Sequence, residues 1–260
     1  MKKRNLLIIS ALLTILIVLI ALYHEQRVPI LGYHAFYKDK SELKEDNPEF
    51  INDIKNFEKQ MKYLRDHNYK TLTLDEFYDW KKGKLDIPRK SVLVTIDDGS
   101  LSNYMYAFPI LKKYNINAVV FYIGKVSKDN GVDKGTIYDA MSLELIEKCK
   151  KKYPNIEFES HSYNLHGKAS TLFTKEEKEK DVKEMSKLGE YKYYAFPFGV
   201  YDEDMIKILK DNNYKMAFSF GYDDGYRKAR KSDDDYHVAR LNISNYVSFS
   251  KFLLRLYMPY

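Results

Sequence analysis

Eight short apolar runs alternate with amphipathic stretches from residue 28 onward, and this alternation restricts the fold more than any other feature. The apolar runs lie at 28–33, 69–74, 91–96, 116–123, 156–160, 192–196, 215–220 and 238–243. The amphipathic stretches lie at 50–68, 102–114, 142–152, 174–188, 202–213 and 248–257, with Asn47 and Pro48 as a candidate helix start before the first. Strands that alternate with helices predict a parallel α/β fold, either a closed barrel or a doubly wound sheet.

The length and the charge of the chain limit the class of protein. Its 260 residues are enough for one large domain with a sizeable core. The formal net charge is +6, but Lys2, Lys3 and Arg4 supply half of it, and the other charges nearly balance. We therefore predict no nucleic-acid partner. The sequence also lacks a glycine-rich loop of the kind that binds phosphates, so we predict no nucleotide.

The N-terminus contains an uncharged apolar segment, 6–23, directly after the basic residues. Its length suffices for a helix that spans a bilayer, and a basic flank tends to stay in the cytoplasm. We therefore predict a cytoplasmic flank at 1–4, a single transmembrane anchor at 5–23 and an extracellular domain at 24–260. Cleavage of the segment as a signal peptide, with secretion of the domain, is the alternative.

Residues capable of chemistry follow several of the apolar runs. In parallel α/β folds the active site lies beyond the carboxyl ends of the strands, so these residues are expected to lie close together. They are Tyr33 and His34, Asp97 and Asp98, His161 and His166, and Pro197 and Phe198.

Two histidines and one aspartate form a candidate metal site. His161 and His166 are five residues apart, a spacing that neither a helix nor a strand would place on one face. A curled loop after a strand would bring them together, whereas two unrelated surface imidazoles are the alternative. Two imidazoles with the carboxylate of Asp98 leave open positions on a divalent ion, which is typical of a catalytic site.

Two adjacent carboxylates at the end of one strand need a reason, because they repel each other. If Asp98 faces a cation, Asp97 is free to act as the general base that accepts a proton from water. Both side chains reach one cavity only if the backbone turns sharply, and Gly99 permits such a turn.

These residues resemble the motifs of the polysaccharide deacetylases of carbohydrate esterase family 4, which contain the NodB homology domain. "TIDDGS" at 95–100 is similar to the family motif T-F-D-D-G, and "HSYNLH" at 161–166 to its H-[ST]-…-H motif. "FPFG" at 196–199 stands where the third motif is expected. "YAFPFG" and the histidine spacing resemble the branch that deacetylates poly-N-acetylglucosamine, the intercellular adhesin polymer of biofilms.

The resemblance implies a fold, a reaction and roles for the site residues. The fold is a distorted (β/α) barrel, and the reaction removes acetyl groups from N-acetylated sugars. Asp98, His161 and His166 would bind one divalent metal, commonly zinc, and Asp97 would be the base. A backbone N–H near Phe198 would stabilise the oxyanion.

Two departures from the family pattern leave roles open. Ala195 stands where the third motif has an arginine, and Arg240 is a candidate to replace it, with a plain surface arginine as the alternative. The motif with the general-acid histidine is not legible. His237 is the candidate proton donor, and the return of the proton by Asp97 is the alternative. The predicted substrate contacts are Tyr33, His34, Pro197, Phe198 and Arg240.

These observations predict a metal-dependent hydrolase that removes N-acetyl groups from an extracellular N-acetylglucosamine polymer, either poly-N-acetylglucosamine or a cell-wall glycan. A carbohydrate-binding surface protein that has lost its chemistry is the alternative from another class. A deacetylase of peptidoglycan or chitooligosaccharides is the alternative within the same class.

Overall fold

The computed structural model describes residues 13–15, 26–44, 48–220 and 227–258. Among these residues there is no helix of the length and apolar character needed to cross a bilayer. The predicted anchor at 5–23 lies outside the described residues, apart from 13–15.

Short strands account for most of the predicted apolar runs. In chain order, the strands of the described residues are β1 Arg27–Val28, β2 Ile30–Tyr33, β3 Ala35–Tyr37, β4 Ile51–Asp53, β5 Lys70–Thr71, β6 Ser91–Ile96, β7 Ala118–Tyr122, β8 Ile156–Ser160, β9 Tyr193–Ala195, β10 Met216–Phe220, β11 Ala229–Arg230 and β12 Val238–Asn242. β6 and β7 are buried along their whole length, as expected for strands covered on both faces.

Seven of these strands close into a parallel barrel. Their order is β2, β12, β10, β9, β8, β7 and β6, and β6 pairs with β2 to complete the circle. Leu241 of β12 lies opposite Leu31 of β2, so strands from the two ends of the described chain are neighbours. β5 adds to the first residues of β6. The predicted distorted barrel is therefore confirmed, and the doubly wound alternative is wrong because the sheet closes.

Helices cover the outside of the barrel. In the described part of the chain, the α-helices are α1 Ile54–Asp66, α2 Leu74–Lys81, α3 Phe108–Tyr114, α4 Gly124–Asp129, α5 Leu143–Lys152, α6 Lys175–Ser186, α7 Glu203–Asp211 and α8 Phe249–Tyr257. A π-helical segment, Asn103–Ala107, precedes α3. The N-terminal residues of two helices follow from local chemistry. Thr73 before α2 and Thr174 before α6 each form a capping box with the glutamate three residues later.

One apolar cluster fills the inside of the barrel, and a second lies between the barrel and the helices outside it. Inward side chains of the strands, among them Leu93, Phe121 and Phe218, pack with each other and with Trp80 of α2. Outward side chains, such as Val94 and Val120, pack against α1, α3 and α5 in a second cluster. Successive side chains of a strand point alternately into the barrel and out of it, so the position of a residue in this alternation decides whether it can reach the barrel interior.

The predicted element boundaries differ from the structure in a few places. The first long helix starts at Ile54 with Asp53 as its cap, and Pro48 lies before β4, so the predicted start at Asn47 and Pro48 is wrong. The side chain of Asp53 accepts the N–H of Lys55, which satisfies a free donor of the first turn. The short helices α2 and α4 were not predicted.

Candidate active site

A cavity of about 340 Å³ opens at the carboxyl end of the barrel. The side chains that line it come from the ends of β2, β6, β8 and β10 and from the loops beside them. They are His34, Phe50, Asp97, Asp98, His161, His166, Phe198 and Phe220. The candidate base and the three candidate metal ligands therefore share one cavity, at the end of the barrel where such folds have their active sites.

A sharp turn after β6 explains how both aspartates reach this cavity. Asp98 has a φ of 70° and Gly99 a φ of 73°, so two successive residues adopt the left-handed conformation. A Cβ on Gly99 would lie 2.7 Å from the Cβ of Tyr122, so the position also excludes a side chain. The turn keeps Asp97 buried at the barrel end and directs Asp98 to the two histidines.

Asp98, His161 and His166 form a compact set of possible metal ligands. Oδ1 of Asp98 lies 3.5 Å from Nε2 of His161 and 3.2 Å from Nε2 of His166. One ligand atom from each residue lies within 4.8 Å of the others. Nδ1 of His161 lies 2.8 Å from the carbonyl oxygen of Ala195. A proton on Nδ1 donated to that oxygen leaves the lone pair of Nε2 for a ligand, as in many metal-binding histidines.

The chemistry of these three residues fits a divalent metal. Oδ1 of Asp98 is buried and has no hydrogen bond of good geometry within the described part of the chain, although two imidazole nitrogens approach it. Removal from water acts to raise the pKa of Asp98, but contacts with His161 and His166 outweigh this and hold it well below its usual range. Burial likewise acts to lower the pKa of His166, and Asp98 raises it overall. An anionic oxygen with two imidazoles suits zinc and similar ions.

We expect His161→Ala and His166→Ala each to remove most of the bound zinc from the purified protein. Two remaining protein ligands bind an exchangeable ion poorly, and among the described residues Asp98, His161 and His166 are the one group of three possible metal ligands. Metal analysis after dialysis measures this directly. His67→Ala is the matched control, because His67 is an exposed imidazole stacked on Tyr63. Stoichiometric zinc in the His161/His166 double variant would contradict the ligand assignment.

Asp97 is fully buried and paired with Arg240. The guanidinium donates two hydrogen bonds to the carboxylate, from Nη1 to Oδ1 at 2.7 Å and from Nη2 to Oδ2 at 2.8 Å. Nη1 also lies 3.2 Å from Oγ1 of Thr95. Burial acts to raise the pKa of Asp97, but the positive charge of Arg240 outweighs it and the pKa is lowered. Asp97 is therefore a fixed, ionised carboxylate at the floor of the cavity.

His34 also lies near the carboxylate of Asp97. Its Nε2 is 4.0 Å from Oδ2 of Asp97, and its ring stacks on Phe220 with centroids 5.7 Å apart. Burial lowers the pKa of His34, although Asp98 and Asp97 act against this. His34 therefore presents a neutral imidazole to the cavity near pH 7.

A tight turn after β9 presents Phe198 to the cavity. Phe198 has a φ of 58°, and its half-exposed ring lies over His166 with centroids 4.9 Å apart. Pro197 is buried in the same turn and does not line the cavity. The prediction that Pro197 contacts substrate is therefore wrong, because its role in the structure is to shape the turn that exposes Phe198.

Two other predicted substrate contacts, Tyr33 and Arg240, also need correction. Tyr33 does not line the cavity, because it faces outward from β2 and donates its hydroxyl to Oε1 of Gln60 at 2.7 Å. Arg240 is neither a surface arginine nor a substrate contact, because its buried guanidinium is occupied by Asp97.

His237 also lies away from the cavity. Val238 and Arg240 of β12 point into the barrel, so the alternation along the strand places His237 on the outer side. Its ring contacts Tyr201 with centroids 4.3 Å apart, next to the apolar cluster between α6 and α7. The predicted role of His237 as proton donor is therefore wrong.

Sequence reasoning missed two aromatic residues of the cavity. Phe220 is the last residue of β10, and its position at a strand end was a usable signal. Phe50 enters from the segment before β4, and its ring lies 4.8 Å from that of His34. Nothing in the pattern around Phe50 distinguishes it from an ordinary surface aromatic residue.

A closed parallel barrel with an Asp/His/His set at the carboxyl ends of its strands is an arrangement suited to an enzyme of the metal-dependent hydrolase class. The chain belongs to the polysaccharide deacetylase family, whose family model matches residues 84–217. This confirms the resemblance predicted from the motifs.

Curated relatives have the same chemistry in their names. A poly-beta-1,6-N-acetyl-D-glucosamine N-deacetylase of Staphylococcus aureus is 32% identical over 207 residues, which cover 73% of this chain and 66% of the relative. The enzyme of that name from Staphylococcus epidermidis is 31% identical over 205 residues, with the same coverage. The match thus spans slightly less than two thirds of the length of these relatives.

Solved structures support the fold. The deacetylase PplD of Streptococcus pyogenes, determined in complex with acetate, superposes with a TM-score of 0.75 at 22% identity and covers 89% of this chain and 99% of its own. IcaB from Ammonifex degensii gives a TM-score of 0.72 at 22% identity and covers 89% and 97%. At this level of identity the likeness establishes the barrel architecture.

Proposed function

We propose that this protein is a metal-dependent N-deacetylase that removes acetyl groups from extracellular poly-N-acetylglucosamine. The main support is the arrangement of a buried, arginine-paired carboxylate, Asp97, beside the three-ligand set Asp98, His161 and His166 in one open cavity. The names of the curated relatives support the choice of polymer. Zinc is the proposed metal, because the set combines two imidazoles with one carboxylate.

The residues of the cavity divide the reaction between them. A divalent metal at Asp98, His161 and His166 supplies Lewis acidity, which makes water a better nucleophile and the acetamide carbonyl a better electrophile. Asp97 accepts the proton of the attacking water, and Arg240 keeps its carboxylate ionised and oriented. We assign stabilisation of the oxyanion to the backbone N–H of Phe198.

The leaving amine needs a proton, and Asp97 is the proposed source. His237 faces away from the cavity, and burial keeps His34 neutral near pH 7, so neither is a suitable acid. Asp97 is protonated after the attack of water, and it returns this proton to the amine nitrogen as the carbon–nitrogen bond breaks. Acetate and a free glucosamine unit are the products.

Acetate release from three substrates tests this proposal. The full-length protein in detergent is incubated with poly-N-acetylglucosamine, with peptidoglycan and with chitooligosaccharides. We expect release from poly-N-acetylglucosamine, loss of release with a chelator and recovery when zinc is added back. Faster release from peptidoglycan or chitooligosaccharides would replace the substrate but keep the reaction.

The alternative of a sugar-binding protein without chemistry has lost part of its basis. It depended on the absence of the motif arginine and of a legible acid motif, and Arg240 now occupies the position beside Asp97. If the protein binds the polymer but releases no acetate with any added divalent metal, this alternative is favoured.

We also propose that the segment 5–23 anchors the protein in the cell membrane with its catalytic domain outside. The support is the uncharged apolar run after Lys2, Lys3 and Arg4. We expect the full-length protein to stay in the membrane fraction after a high-salt wash, with its C-terminal domain cleaved by protease added to intact cells. A shortened form in the culture medium would instead indicate a cleaved signal peptide.

A further inference from the structure

A buried carboxylate outside the cavity contacts the loop that contains two of the three proposed metal ligands. Asp181 of α6 is 5% exposed. Its Oδ2 accepts the backbone N–H of Tyr163 at 2.8 Å, and its Oδ1 accepts that of Asn164 at 2.5 Å. These two residues lie between His161 and His166 in the chain, so Asp181 binds the connection between the ligands without touching either imidazole.

The loop 162–166 needs such support because its conformation is unusual. Ser162 has a φ of 71°, in the left-handed region that is unfavourable for a residue with a side chain. The other edge of the loop is bound by α4, where the N–H groups of Gly124 and Lys125 donate to the carbonyls of Ser162 and Tyr163 at 3.0 and 2.8 Å. Asp181 satisfies the N–H groups of Tyr163 and Asn164, and within the loop the hydroxyl of Ser162 accepts the N–H of Leu165 at 3.0 Å.

Charge strengthens this contact. Burial raises the pKa of Asp181 to about 6, and the backbone N–H groups of the loop act to lower it. The carboxylate is therefore ionised at neutral pH, and hydrogen bonds from N–H groups to an ionised acceptor are roughly twice as strong as neutral ones. Asp181 also lines a second cavity, of about 300 Å³, together with Tyr163, Asn164 and Leu165 of the loop.

We propose that Asp181 is a positioning residue for metal binding, because it fixes the loop 162–166 so that His166 meets Asp98 and His161. The inference rests on the metal site of the proposed function and extends it to a residue that touches neither metal nor substrate. Without the carboxylate the loop is less ordered, so metal binding must also order His166, and this loss of conformational entropy weakens the binding. Zinc affinity, rather than the rate of the fully loaded protein, is therefore the quantity that changes.

Asp181→Asn tests the inference with little change in shape. We expect the dissociation constant for zinc alone, measured by competition with a chromogenic chelator, to rise about 10-fold, the lower end of the effect of losing a direct hydrogen-bond partner of a ligand, because Asp181 acts on the ligands only through the loop backbone. We expect kcat at saturating zinc to stay unchanged. Hydrogen exchange at the amides of Tyr163 and Asn164 should become faster, and this measurement does not need the metal.

Asp202→Asn is the matched control. Asp202 also accepts a backbone N–H, that of Met205 at 3.0 Å, and it pairs with Lys178 of α6, but it does not contact the loop. We expect this variant to be less stable to urea with unchanged zinc affinity. An equal fall of zinc affinity in both variants, or none in Asp181→Asn while the wild type binds zinc normally, would overturn the inference and leave the proposed function standing. Absence of zinc binding by the wild type would overturn both.

Discussion

Asp97→Asn is expected to keep its metal and to lose activity by a factor of about 10² to 10⁴, which corresponds to roughly 3 to 5 kcal/mol of barrier. The substitution is nearly isosteric, and the three proposed ligands are unchanged. The amide cannot take the proton of water, and one of its two ends presents N–H groups to the guanidinium of Arg240. Zinc content and acetate release, measured on the same sample, separate binding from catalysis.

Asp98→Asn is the informative partner of this variant, because the two residues are adjacent in the chain. It should lose the metal as well as the activity, since a neutral oxygen is a weaker ligand and one negative charge has gone from the site. Both variants would be slow, but only one would lack zinc. Equal loss of zinc in the two variants would show that both carboxylates bind the metal, and the base would then have to be another group.

Arg240→Met is expected to cost about 3 to 5 kcal/mol of the free energy of unfolding, because it leaves the carboxylate of Asp97 buried without its cation. The pKa of Asp97 should also rise, because the cation that favours its ionised form has gone, so that the acid side of the pH profile of activity moves to higher pH. Arg240→Lys should be intermediate, because an ammonium keeps the charge but cannot donate two parallel hydrogen bonds in the plane of the carboxylate. Urea unfolding followed by circular dichroism measures the stability of each variant.

The double variant Asp97→Asn/Arg240→Met is the control for this explanation. It removes both charges, so we expect it to be more stable than Arg240→Met alone, although it has one substitution more. A double variant that is as unstable as the sum of its parts would show that Arg240 stabilises the fold through packing. Its guanidinium does lie 4.1 Å above the ring centroid of Phe220, so packing is a real competitor.

The barrel was predictable because its strands are fully buried. β6 and β8 begin and end at the predicted residues, since continuous apolar sequence or strict alternation stops abruptly at a polar residue. The position of the candidate ligands was predictable for a related reason, because His161 directly follows β8 and Asp98 is the second residue after β6. What the sequence could not decide was which side of a strand end faces the cavity. Tyr33 and His34 are adjacent, and only the closed barrel shows that the imidazole points in and the phenol points out.

Long-range contacts explain the remaining errors. Arg240 reaches Asp97 across the barrel, and a pairing between residues so far apart leaves no local pattern. Asp181 had no signal either, because it lies in a charged helix whose sequence is typical of a solvated surface. The start of the first long helix was predicted too early. Pro48 is a typical first helical residue, but the strand β4 occupies Ile51–Asp53, so the helix begins only at Ile54.

The long separation between Asp97 and Arg240 in the chain has a consequence for the order in which the parts of the site are synthesised. Asp97 and Arg240 are separated by 143 residues, and the arginine arrives only with the last strand of the barrel. At a synthesis rate of about 5 to 20 residues per second, the carboxylate emerges roughly 7 to 30 s before its partner. His161 and His166 are made within this interval. Asp98, His161 and His166 are therefore all synthesised before the arginine that orients Asp97.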